Sequence, residues 1–177
     1  MKLTWFGGTT MRVHIGGAIL VVDPAGAPAG IDATELVSGA DRVIEGFGAE
    51  LAVVEPKGWK PRRPGRLLDE SETLPPVEAW SAGEGGLLVD AMGEAPLLLV
   101  VGAVPELGRW ADGAVVVLLG DGARMVEQGR ALLEHSPPRL LVLAGEEAAV
   151  DAAVRGLREL LDGTGLVALE AGLALEA

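Results

Sequence analysis

Period-two alternation opens the chain. Leu3 and Trp5 alternate with Lys2 and Thr4, and Met11, Val13 and Ile15 alternate with Arg12 and His14. That is the pattern of half-buried strands. Gly7-Gly8 breaks the first run. Gly16-Gly17 fits a two-residue hairpin turn, whose central positions need positive φ. Residues 18–22 are unbroken apolar, which predicts a strand covered on both faces. Asp23-Pro24 ends that strand, because proline has no N–H to give to a ladder. Residues 1–24 thus predict three short strands.

Further along, 31–37 reads as a short helix or a polar loop, with Asp32 and Glu35 at capping-box spacing. Strands are predicted at 40–45 and 51–54. Two more lie between 66 and 80, around an acidic turn (Asp69, Glu70, Glu72). Residues 86–91 and 96–101 form a hairpin about Met92-Gly93-Glu94, and 114–119 and 139–144 are continuous apolar strands. Between those two, Met125, Gly129, Leu132 and Leu133 share one face of a helix at 123–135, with Asp121 as its cap. A last helix at 148–161 sets Val150, Val154, Leu157 and Leu161 on one face. Glu146 and Glu147 begin it, where the helix dipole favours anions. Asp162-Gly163 stops it. Strands at 166–169 and 173–175 close the chain around Gly172. Strands come in two batches with helical segments after each, an α/β pattern, and no linker splits residues 1–177 into two domains.

Composition narrows the partners. Lys+Arg 14 against Asp+Glu 26 gives a net charge of −12. That surface repels phosphate backbones and anionic lipid, which argues against nucleic acid and membrane as partners. Hydrophobic residues make up 49%, enough for a sizeable core. With no cysteine there is neither a disulfide nor a thiolate metal site. No apolar run approaches the ~20 residues of a membrane span. Thr4, Gly7 and Gly8 interrupt what would be the apolar centre of a signal peptide, so a cytoplasmic location is expected. The basic stretch 57–66 is the one cationic cluster and reads as a solvated loop, or as a contact for an anion or acidic partner.

The opening strands, the turn Gly7-Gly8-Thr9-Thr10 and the strand ending in Asp23-Pro24 resemble the metallo-β-lactamase superfamily, in particular its branch near L-ascorbate-6-phosphate lactonase. The likeness continues through the strand at 40–44, the strand at 51–54 with Glu55-Pro56-Lys57-Gly58, the strand at 97–102, the strand at 114–120 and the strand at 140–145. It implies a shortened four-layer αββα sandwich. It also implies where a metal site would lie. The family's turn histidine corresponds to Gly8, and its histidine-rich loop is reduced to 46–50. Its bridging aspartate corresponds to Ala103, and its late histidine to Gly145. What remains is a vestigial pocket at Gly8, Thr9, Asp23, Gly46, Ala103 and Gly145, with no metal ligands, no catalytic residue and no cofactor.

The residues left to carry chemistry are few. His14 reads as a surface strand residue and His135 as the end of a helix. Asp23, Asp41 and Glu45 allow a carboxylate magnesium or calcium site, or turn hydrogen bonds. Ser38, Ser71, Ser81 and Ser136 lack a visible histidine–aspartate setting. Trp5, Trp59, Trp80 and Trp110 read as core or interface anchors. The expected function is therefore binding of a small molecule or a protein by a metal-free, non-catalytic member of this fold. The alternative is a hydrolase with a rebuilt site. Phe47 and Trp59 beside the shortened loop, with Trp110 near them, suggest a homodimer through 46–59, or side chains turned inward to fill the vacated pocket.

Overall fold

A computed structural model describes residues 1–47, 50–62 and 77–177. The strand and acidic turn expected after residue 66, and Ser71, lie outside the described residues. The fold is mixed α/β, with two mixed sheets and few helices. The first sheet contains β1 (Lys2–Gly7), β2 (Thr10–Ile15), β3 (Ala18–Val22), β4 (Arg42–Ile44) and β11 (Ala174–Glu176), in the order β11-β1-β2-β3-β4. The second contains β5 (Val77–Ser81), β6 (Gly86–Ala91), β7 (Leu97–Val100), β8 (Val115–Leu119), β9 (Leu140–Ala144) and β10 (Gly165–Leu169), in the order β10-β9-β8-β7-β6-β5. β3–β4 and β7 through β10 pair in parallel, and the other pairs are antiparallel.

The turns follow their residues. Ile15 pairs with Ala18 across Gly16 and Gly17, whose φ values of 56° and 81° only glycine adopts without strain. Parallel neighbours need long crossovers. α2 (Gly122–His135) joins β8 to β9, and α3 (Glu147–Leu157) joins β9 to β10. The short helix α1 (Ala33–Val37) is capped by Asp32, whose carboxylate accepts the Thr34 N–H at 2.8 Å.

The two sheets share one apolar layer. Leu3, Met11, Val13 and Leu20 meet Val89, Leu99, Val117 and Val142 there. Alternate residues of the second sheet, such as Leu88, Leu98, Val116 and Leu143, pack on its other face against Met125, Leu132, Ala153 and Leu157 of the helices. A strand covered on both faces must be apolar at every position, which accounts for the unbroken runs at 97–100 and 115–119. α1 lies on the far side of the first sheet. Arg12, which points away from the shared layer, donates from Nη1 to Leu36 O at 3.1 Å and from Nη2 to Ser38 O at 3.0 Å.

Three expectations change. Residues 51–54 form no strand: a bridge from Val53 to Ser81 is all that pairs, flanked by Val54 N–H to Ser81 O at 2.9 Å. The last α-helix stops at Leu157 and tightens into a 3-10 turn over Arg158–Leu160. Its buried residues are Ala153 and Leu157, and Val150, Val154 and Leu161 are only half-buried. The reason is close approach of α2. A Cβ at Gly129 would lie 2.5 Å from Leu157 Cδ1, and one at Gly156 would lie 2.8 Å from Val126 Cγ2. These glycines let the helices touch and leave Leu157 fully buried at their centre. Leu157→Ala should therefore cost ~2–5 kcal/mol of unfolding free energy, measured by urea denaturation, as large-to-small core changes do. A loss below ~0.5 kcal/mol, the range of changes at the surface, would contradict this packing.

Candidate functional site

The carboxyl ends of the parallel strands lie along one edge of the molecule. Crevices outside such strand ends are where open α/β sheets bind ligands. Here a cleft of about 530 Å³ is lined by Trp5, Gly8 and Thr9 from the first sheet, and by Asp121, Gly145 and Glu146 from the ends of β8 and β9. A neighbouring cleft of about 520 Å³ shares Trp5, Gly145 and Glu146 and adds Asp151 and Glu170. Of the six residues placed in the pocket by resemblance, Gly8, Thr9 and Gly145 come together. Asp23 lies behind them, bonded to Thr9. Gly46 and Ala103 follow β4 and β7 in the chain and do not line the cleft.

Main-chain contacts close the two glycine positions. Gly8 has φ 54°, and a Cβ there would overlap the Gly26 carbonyl. The segment that supplies this carbonyl is the 3-10 turn Pro24–Gly26, held by Asp23. Asp23 is itself left-handed, at φ 48°. Its carboxylate accepts the Thr9 hydroxyl, its carbonyl accepts the Thr10 hydroxyl at 2.6 Å, and its N–H donates to Ile44 O at 2.8 Å. The Trp5 indole N–H donates to Gly8 O at 3.0 Å. At Gly145 a Cβ would stand 2.7 Å from Gly120 O and 3.0 Å from the Met125 methyl group. Neither position has room for an imidazole.

The other candidates are dispersed. His14 sits half-buried on the outer face of the first sheet, in a depression of about 670 Å³ with Lys2, Ile19 and Glu94. His135 is exposed at the end of α2, its Nδ1 3.1 Å from Ala131 O, in another depression of about 370 Å³. Ser136 adjoins it there and caps the helix, its N–H donating to Leu132 O at 2.8 Å. Asp41 accepts the Ile19 N–H at 2.7 Å and Glu45 is exposed. Ser81 donates weakly to Gly83 O at 3.4 Å, and Ser38 caps α1. Asp121 caps α2 by accepting the Arg124 N–H at 3.0 Å, and that bond holds its carboxyl below the ordinary range. Among the described residues, no group of three or more His, Asp or Glu side chains is placed to hold a metal ion.

The aromatic residues separate. Trp59 stacks edge-on with Trp110 at 5.0 Å and with Trp80 at 5.9 Å, on the helix side of the second sheet. The Trp110 indole donates to Pro56 O at 2.6 Å. Phe47 packs instead against the layer between the sheets. Phe47 and Trp59 are both half-buried and pack on different faces of the second sheet.

One buried charge escaped the sequence reading. Asp90, fully buried in β6, accepts the Arg62 Nε–H at 2.8 Å, and its carbonyl accepts Arg62 Nη2 at 2.7 Å. A carboxylate inside an apolar strand was the signal, since such a charge needs a partner. Lys57 is likewise bonded, to Glu106 at 2.6 Å. Two cations of the basic stretch are thus paired within the chain, Arg62 with a buried carboxylate and Lys57 at the surface.

No family model, curated protein or solved structure matches this chain.

Two predictions follow from these environments. Burial, then the positive charges of Arg12 and Lys2, hold the His14 pKa below its ordinary value. A histidine that resists protonation when folded takes up more protons when unfolded, so stability rises with pH in this window. The contribution is complete above the ordinary pKa of ~6.5 and is lost as pH falls through the lower folded value. An NMR titration should find the His14 midpoint below the ordinary histidine value of ~6.5, and His14→Gln should flatten the dependence; a His14 midpoint above the ordinary value would contradict it. Gly145→His should destabilise the fold by ~1–3 kcal/mol, as overpacking does. Unchanged stability with tight zinc binding would mean that the strand-end edge opens where it is described as closed.

Proposed function

We propose that this chain is a shortened, metal-free αββα sandwich of the metallo-β-lactamase type that acts by binding rather than by hydrolysis. Its ligand is a small molecule seated at the strand-end cleft. The observation that carries the reading is the pair of closed glycine positions. At Gly8 and Gly145, where the resembled family carries histidines, this chain brings backbone against backbone. Hydrolysis in that family needs imidazoles around an ion open to water, and both histidines of this chain lie outside the cleft.

The lining also says what kind of molecule suits the cleft. It offers the Trp5 indole, small apolar groups at Ala144, Ala148 and Ala149, and the acids Asp121 and Glu146, with no basic residue. A cleft lined by acids and no basic residue, in a chain of net charge −12, favours a neutral or cationic ligand over an anion.

The Trp5 indole N–H resonance reports on the site directly, because that proton is bonded to Gly8 O. Titration with butylamine should shift it at low salt, and butyrate should leave it in place. Equal response to both, or to neither, would contradict the assigned ligand class. Chelator-sensitive turnover of lactone or phosphoester substrates by the purified protein would replace the binding reading with a hydrolase whose site has been rebuilt.

A further inference from the structure

The geometry points to a homodimer in which β10 pairs antiparallel with β10 of a second copy, joining the two six-stranded sheets into one. This rests on the sheet edge and is independent of the strand-end cleft.

An open strand edge presents unpaired N–H and C=O groups, and natural proteins usually blunt it with charge, proline, a bulge or a cover. Three edges here are managed in that way. β4 is three residues long and carries Arg42, and β11 is three residues long and ends in Glu176. β5 is covered by the main chain of Ala52 and Val54, which bonds to Ser81. β10 is different: Gly165-Leu166-Val167-Ala168-Leu169 has five residues, no charge, no proline and no register shift against β9. Among the described residues no strand lies on its other side. Two of the large apolar side chains left exposed, Leu160 at 38% and Leu173 at 57%, stand just before and just after it in the chain.

The register is self-complementary, so a second copy fits this edge. Gly165 donates its N–H to Arg139 O at 3.0 Å. In a parallel ladder alternate residues face the same neighbour, so Gly165, Val167 and Leu169 face β9, while Leu166 and Ala168 turn their main-chain groups outward. A twofold axis through Val167 sets Leu166 opposite the partner's Ala168, and Ala168 opposite the partner's Leu166. Each is then a hydrogen-bonded antiparallel pair, and every outward group of the strand is satisfied. The flanking acids also avoid each other. Glu170 falls opposite the partner's Thr164, and Asp162 opposite the partner's Gly172. Such an isologous contact closes on itself as a dimer. Because each copy carries a net charge of −12, salt should strengthen it by screening repulsion.

Sedimentation velocity should show a dimer whose population rises with salt. Ala168→Pro removes an N–H that the chain's own ladder does not use, so it should give a folded monomer. Val167→Cys supplies a second reading that does not depend on that variant folding. Val167 faces its own copy in a non-hydrogen-bonded pair, with Cα atoms ~4.5 Å apart, within the range of a disulfide. The chain has no other cysteine, so mild oxidation should give a covalent dimer, and Met92→Cys, on the distant hairpin, should not. A wild-type monomer at high micromolar concentration in salt overturns the proposal. So does a dimer that persists in folded Ala168→Pro, or a Val167→Cys protein that fails to cross-link.

Discussion

Burial of the second sheet on both faces is the constraint from which the rest follows. Its central strands have no solvent face, so every residue of β7 and β8 is apolar and nearly all polar function is displaced to strand ends and turns. The parallel arrangement then gathers those ends along one edge. Asp90 is the exception inside the sheet, and the Arg62 guanidinium on its Oδ2 and carbonyl shows what a carboxylate needs there. On the outer side, glycines at 129 and 156 let α2 and α3 approach closely enough to seal the same sheet.

At the strand-end edge, positions that could project side chains are occupied by main chain. Asp23 bonds to both threonines of the first turn and to β4, so it is committed to structure. Gly8 meets Gly26, and Gly145 meets Gly120. What is left facing the cleft is an indole, small apolar groups and acids. Among the described residues, no three His, Asp or Glu side chains are placed there to hold a metal ion.

Much of the fold was legible in the chain. Period-two alternation located β1 and β2, paired glycines located the hairpin, and unbroken apolar runs located β8 and β9, because each signal reports a local need. The failures were tertiary. Residues 51–54 have strand propensity, yet only one bridge forms, and Val53 is left 81% exposed. The face of α3 shifted toward Ala153 because a neighbouring glycine helix came close, which no periodicity in α3 itself records. At the site, Gly8, Thr9 and Gly145 could be grouped in advance by resemblance, and Asp23 beside them. Gly46 and Ala103 could not be separated from them, because strand ends on one edge look equivalent until sheet packing decides which face a cleft. Phe47 and Trp59 both flank the shortened loop at 46–50, yet they pack on opposite faces of the second sheet.

Metal content tests the central claim most directly. Protein purified without added metal, then dialysed against zinc and washed free of the excess, should hold far less than one equivalent by inductively coupled plasma mass spectrometry. Its melting temperature should also be unmoved by chelator, since an ion that does not bind the folded state adds no stability to it. One tightly held equivalent of zinc, iron or manganese, with melting that falls when it is removed, would contradict the account of an edge closed by main chain.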